Sequence, residues 1–191
     1  MFKKIIFASG LLCLSMTLPA ASPLSKLLTE AESAYEKKDY QAALGKLTEA
    51  QEQIRSEAPL ELANVVLVTQ KAQGMGQGIK PRPNNRYRAG QEILVYLEPQ
   101  NYGMRSQSGG YHAQLVLDLR VKEPAGKQLF EQKAFGRFPV DTARLVRDLY
   151  LNVTVTLTGA PAGKYVLELV AQDVVGDKSA ITTIPVEIIS K

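Results

Sequence analysis

Pro161-Ala162-Gly163-Lys164-Tyr165-Val166-Leu167-Glu168-Leu169-Val170-Ala171-Gln172-Asp173 is the stretch that decides the fold. A Pro/Gly turn delivers the chain into Tyr165, and alternation begins there. Successive side chains of a strand point to opposite faces. Tyr165, Leu167, Leu169 and Ala171 therefore share one face, and Val166, Glu168, Val170 and Gln172 the other. The pattern predicts a half-buried strand with a tyrosine at its entry.

The period of two extends outward in both directions. Ile93, Val95 and Leu97 alternate with Leu94, Tyr96 and Glu98. Tyr111, Ala113, Leu115, Leu117, Leu119 and Val121 alternate with His112, Gln114, Val116, Asp118, Arg120 and Lys122. Pro124-Ala125-Gly126 turns into a shorter strand, 128–135. Leu149, Leu151, Val153, Val155 and Leu157 form an inner face opposite Tyr150, Asn152, Thr154, Thr156 and Thr158. After Val175-Gly176-Asp177, Ile184, Val186 and Ile188 share a face. The proline-containing stretch 79–88 reads as an edge strand or an extended entry to one. With it, seven short strands separated by turns are expected, all able to pair antiparallel.

A tyrosine placed directly after a turn, as in Gly163-Lys164-Tyr165, resembles the tyrosine corner of immunoglobulin-like sandwiches, whose hydroxyl reaches back to upstream backbone. The antibody pattern is incomplete, with Pro161 and Leu167 standing in place of its Asp and Cys. Looser fibronectin-like relatives also lack that Cys. The resemblance implies an immunoglobulin-like β-sandwich over 79–191, with Gly163 and Tyr165 as structural residues.

Upstream the period is helical. Leu27, Leu28, Ala31, Ala34 and Tyr35 fall on one helix face. Lys37-Lys38-Asp39 interrupts them, and Asp39 suits the N-cap of a second helix lined by Tyr40, Ala43, Leu44, Leu47, Ala50 and Ile54. Ser25 is a candidate cap for the first. So short a turn implies an antiparallel hairpin. Ala31, Lys38-Asp39-Tyr40, Ala43, Leu47 and Ala50 resemble one tetratricopeptide (TPR) unit, over about thirty residues and without a second copy. That resemblance implies protein–protein contact through helix faces. Residues 59–72 are expected as a third helix, since Pro59 suits a first turn and Leu62, Val65, Val66 and Thr69 are helically spaced. The β-branched run Val65-Val66-Leu67-Val68 leaves a strand as the alternative. The expected organisation is a signal peptide over 1–21, a TPR-like helical region over 22–73, a glycine linker over 74–78 and the sandwich over 79–191: an α+β chain in two parts.

Lys3-Lys4, the apolar run 5–18 and Pro19-Ala20-Ala21-Ser22 have the order of a secretory signal peptide. The run is short for a bilayer span, though a retained anchor is the alternative. Cys13 lies mid-run without the small residues a lipidation site requires. It is the chain's one cysteine, so the exported part would have neither disulfide nor thiol ligand. A periplasmic or secreted location in a bacterium is expected, with no stable membrane insertion once the signal is removed. The net charge of +4 falls to about +2 without Lys3 and Lys4, too little to indicate nucleic acid.

No catalytic template is satisfied. His112 is the single histidine, on a strand beside Gly109-Gly110. A Ser/His/Asp site would have to be built around it. No His/Cys cluster suggests zinc, and the glycines of 74–78 lack the Lys-Ser/Thr of a phosphate loop. No cofactor or metal is expected. Two surface features remain. Lys80, Arg82, Arg86 and Arg88, with Arg105, Arg137, Arg144 and Arg147 as further members, suit an anionic partner. The loop 101–110 offers Tyr102 and Arg105 next to Tyr111, good contact chemistry at a sandwich end. These features point to an exported, non-enzymatic binding or scaffold protein of the cell envelope that contacts another envelope protein. An anionic glycan- or lipid-binding module is the alternative, and a hydrolase a remote one.

Overall fold

The computed structural model describes residues 22–190, so the signal-peptide assignment lies outside the described residues. Two N-terminal helices precede a β-rich part of nine strands in two sheets, an α+β layout. The compact units divide between Ala50 and Gln51.

In the first unit, α1 (Pro23–Glu36) starts with Pro23 in its first turn, where a missing N–H costs nothing. Its cap is Ser22 rather than Ser25: Ser22 Oγ accepts from the Ser25 amide at 3.1 Å, and Ser25 Oγ donates back to the Ser22 carbonyl at 2.8 Å. Asp39 caps α2 (Tyr40–Glu57) as expected, accepting from the Ala42 amide at 3.1 Å. Ala31, Ala43 and Ala50 are the buried residues of the helices, and Lys46 bridges to Glu30 at 3.2 Å. The larger apolar residues of the same two faces are open instead. Leu28, Tyr35, Tyr40, Leu44 and Leu47 are 44–65% exposed. The expected third helix over 59–72 does not form.

In the second unit, that stretch is β1 (Glu61–Val68), which pairs antiparallel with β3 (Glu92–Gln100). The β-branched run and a pairing partner thirty residues on override its helical spacing. A bulge between Ala63 and Val66, with Asn64 at φ 49°, is why the alternation is hard to read. The glycines of 74–78 are not a linker between domains. Gly74 bridges Gln77, Thr69 bonds to Lys80, and the excursion folds back over β3, where the Gly76 amide donates to the Tyr96 hydroxyl at 3.0 Å. Val68, Ala72 and Tyr96 form a small cluster there.

β3 also pairs with β7 (Leu151–Thr156), giving a three-stranded sheet in the order β1-β3-β7. The second sheet runs β2 (Arg86–Arg88), β9 (Lys178–Ile189), β8 (Gly163–Asp173), β5 (Gly110–Lys122). β5 is joined further by β4 (Arg105–Gln107) and β6 (Gln128–Thr142). β2 runs parallel to β9, so the pairing is not wholly antiparallel. Nine strands replace the expected seven because 61–68 and 105–107 also pair; β6 is longer than expected.

Inner-face residues of both sheets merge into one core: Ile93, Val95 and Leu97 of β3 and Leu151, Val153 and Val155 of β7 meet β5, β8 and β9. The expected alternation holds in each of these strands. Tyr165 opens β8, and its hydroxyl donates to the Pro161 carbonyl.

Candidate binding surfaces

β2 and its flanks bring Arg82, Arg86 and Arg88 to one shallow hollow, with Asn84, Gln91 and Ile189. Arg82 lies over the Tyr87 ring at 4.3 Å and donates to the Arg86 carbonyl at 2.8 Å. Its Nε is enclosed without a hydrogen-bond partner among the described residues. Arg86 is paired with Glu187 at 3.1 Å, which removes part of the positive charge. Arg88 is exposed.

The other expected contact residues do not join this hollow. Arg105 and Tyr111 belong to β4 and β5, across β9 and β8 in the sheet. Arg105 is exposed on β4, opposite His112, so the 101–110 loop is partly a paired strand. Tyr102 is 2% exposed and not a surface contact. Its hydroxyl donates to the Val146 carbonyl at 3.0 Å. Burial pushes its phenol up to about 12 against the opposing Arg147 guanidinium. Arg147 is also occupied: it pairs with Glu52 and donates to the Tyr102 carbonyl at 2.7 Å.

His112 Nδ1 meets Asp141 at 2.9 Å, and Gln107 holds the same carboxylate oxygen at 3.0 Å. Its bond to His112 keeps the Asp141 carboxyl below the ordinary range. No serine or threonine hydroxyl is hydrogen-bonded to His112 among the described residues, so a triad is not assembled around it. No group of three or more metal-ligating side chains is found among them either. No helix is long and apolar enough to cross a membrane among those residues.

The outer faces of β5, β6 and β8 carry a closed charge network. Buried Asp118 accepts from the Ala134 amide at 2.7 Å and Lys133 Nζ at 3.0 Å. Arg120 bridges Glu131 and Glu168, each at 2.9 Å, and Lys122 reaches Glu168 at 2.5 Å. These charges satisfy one another, which suits a structural role.

A cleft of about 420 Å³, not expected from the sequence, lies between β6 and β7. Leu119, Val121, Phe130, Phe135, Val155 and Leu157 line it, and Tyr165 lies at its end. Its sequence signal is the exposed apolar pair Leu129-Phe130, which departs from the polar face of β6.

No family model matches the chain, and no curated protein does. Among solved structures, it is similar to a superoxide reductase (neelaredoxin) from Ignicoccus hospitalis at 14% identity, covering 58% of this chain and 77% of that one, with a TM-score of 0.30. A conjugative transposon lipoprotein from Bacteroides eggerthii has 12% identity, coverage of 67% and 94%, and a TM-score of 0.30. The sporulation control protein Spo0M from Bacillus subtilis has 11% identity, coverage of 70% and 50%, and a TM-score of 0.33. Likeness at this level carries no functional argument.

Proposed function

We propose that the chain is an exported, non-enzymatic interaction protein of the bacterial envelope, whose helical hairpin contacts another envelope protein. The carrying observation is the stripe of Tyr40, Leu44 and Leu47 on α2, with Leu28 and Tyr35 of α1, left exposed while the alanines are buried. The Tyr35 and Tyr40 rings lie 5.8 Å apart, edge to face, which makes the patch continuous at the hairpin tip. Apolar patches of this kind are interaction sites in soluble proteins. The TPR-like assignment is supported by buried Ala31 at the small position and by the Asp39 cap. The signal-like order of residues 1–21 supports export. An immunoglobulin-like sandwich is supported by the strand order. β1, β3 and β7 neighbour one another as strands A, B and E do, and β9, β8, β5 and β6 as G, F, C and C′. A photo-crosslinking residue at position 44 or 47 should give one defined adduct in the native compartment, lost in Tyr40→Glu, while position 32 gives none. Absence of any adduct from the stripe would remove the proposal.

A second reading is favoured by the grouping of Arg82, Arg86 and Arg88 in one hollow: binding of an anionic glycan or lipid headgroup. Affinity for heparin or for phosphatidylglycerol vesicles should fall when all three become Ala. Unchanged binding would eliminate this reading.

A further inference from the structure

We propose that the β-rich unit binds an extended, uncharged segment of another protein as an added strand along the free edge of β7, with alternate side chains seated in the β6/β7 cleft. The site is separate from the hairpin and stands whatever the hairpin contacts.

The free edges of the two sheets are not alike. Proteins blunt such edges with charges, prolines, bulges or very short strands. β1 has its bulge at Ala63/Val66 and a left-handed Asn64. β2 and β4 are three residues long and carry arginines. β6 carries Glu131, Lys133, Arg137 and Pro139, register shifts against β5 and a left-handed Ala134. β7 has none of these. Its sequence, Leu-Asn-Val-Thr-Val-Thr, is uncharged and holds unbroken register with β3 over six pairs. Among the described residues β3 is the one strand β7 pairs with, so its other edge presents main-chain groups unpaired by any of them.

The cleft borders that unprotected edge. A strand laid beside β7 at the usual spacing of about 4.8 Å would direct every second side chain toward Leu119, Val121, Phe130 and Phe135. It would also pair the idle backbone groups, the mode of strand addition to a sheet edge. The polar residues at the cleft, Gln132, Thr156 and Thr158, are neutral, which selects an uncharged segment. An acyl chain would fill the cleft and leave the backbone edge unpaired. A second copy's β7 cannot supply the side chains, because Leu151, Val153 and Val155 are committed to its own core.

The test is fluorescence anisotropy of the purified full chain with a labelled peptide of alternating valine and threonine between terminal lysines. Two further peptides carry N-methyl groups on one or the other alternate set of amides. The expected result is saturable binding, weakened at least about tenfold by one methylated set and not by the other, since one set faces β7. Phe130→Glu and Thr156→Lys should each weaken it similarly, and both sites are exposed enough to leave folding intact. Leu44→Glu on the hairpin should leave it unchanged. No saturation by about 1 mM peptide would overturn the proposal. So would equal binding of both methylated peptides with displacement by dodecanoate, which identifies an acyl pocket. A concentration-dependent dimer abolished by Thr156→Lys would overturn it in favour of self-association.

Discussion

The hydroxyl of Tyr165 donates to the carbonyl of Pro161, four residues upstream, at 2.9 Å. The bond ties the turn that leaves β7 to the first residues of β8. The ring side also borders the β6/β7 cleft. Tyr165→Phe keeps the ring and removes the bond. It should lower stability by about 1 kcal/mol, the usual net worth of one hydrogen bond. A urea titration would read this as a lower midpoint with an unchanged slope; an unchanged midpoint would show that the tie is idle.

Within the second unit, which begins at Gln51, Arg147 ties Glu52 near the end of α2 to the loop that follows β3. It pairs with Glu52 through two nitrogens and donates to the Tyr102 carbonyl. Arg147→Ala should cost about 2 kcal/mol, since hydrogen bonds to charged groups are worth more than neutral ones. Arg147→Lys should recover less than half, because an ammonium cannot reproduce the two-pronged fit. Thermal unfolding of both variants checks the order.

Acid should destabilise the β-rich unit through its charge network. The Arg120 guanidinium and then Lys133 hold the Glu131 carboxyl down to about 2. Lys122 and Arg120 lower Glu168. Burial pulls Asp118 up, but the Ala134 amide and Lys133 together outweigh it, and its carboxyl is lowered too. A carboxyl more acidic in the folded state lends stability that is present above its unfolded value, near 4, and lost as pH falls through the folded one. The melting temperature should therefore be level from pH 7 to about 5 and drop between about 4 and 2. In Lys133→Ala the drop should be shallower.

Gly103 packs its backbone against Gly176. A Cβ at Gly103 would lie 2.5 Å from the Gly176 nitrogen. The Gly103 amide also donates to buried Asp173 at 2.6 Å, which in turn accepts from the amides of Val175 and Gly176. Gly103→Ala must push two backbones apart and should cost about 2–3 kcal/mol, at the upper end of overpacking. Chemical denaturation with hydrogen exchange at 174–176 would locate the damage.

What could be read in the chain was local. The alternation of β3, β5, β7, β8 and β9 needed only neighbouring residues, and so did the Asp39 cap and the Tyr165 tie. Residues 61–68 could not be read that way, because their spacing fits both periods and the choice falls to β3, some thirty residues on. Tyr102 reads as a contact residue in sequence, but its hydroxyl is committed to Val146, 44 residues on. The basic hollow was half legible: Arg82, Arg86 and Arg88 are close in sequence, yet Glu187, which neutralises one of them, comes from β9. The cleft was invisible because it arises from what β6 and β7 do not pair with. The exposure of the hairpin stripe was likewise not local, since it depends on what packs over those side chains.

The parallel pairing of β2 with β9 joins Arg86 to Glu187 across 101 residues. Contacts so distant along the chain form late and slow folding. β2 has no partner until β9, about a hundred residues downstream, is available to pair. Tyr87 must wait exposed for the same interval. The larger sheet thus gains its β2 edge only once β9 is in place, so this edge is the part whose formation depends most on a distant strand.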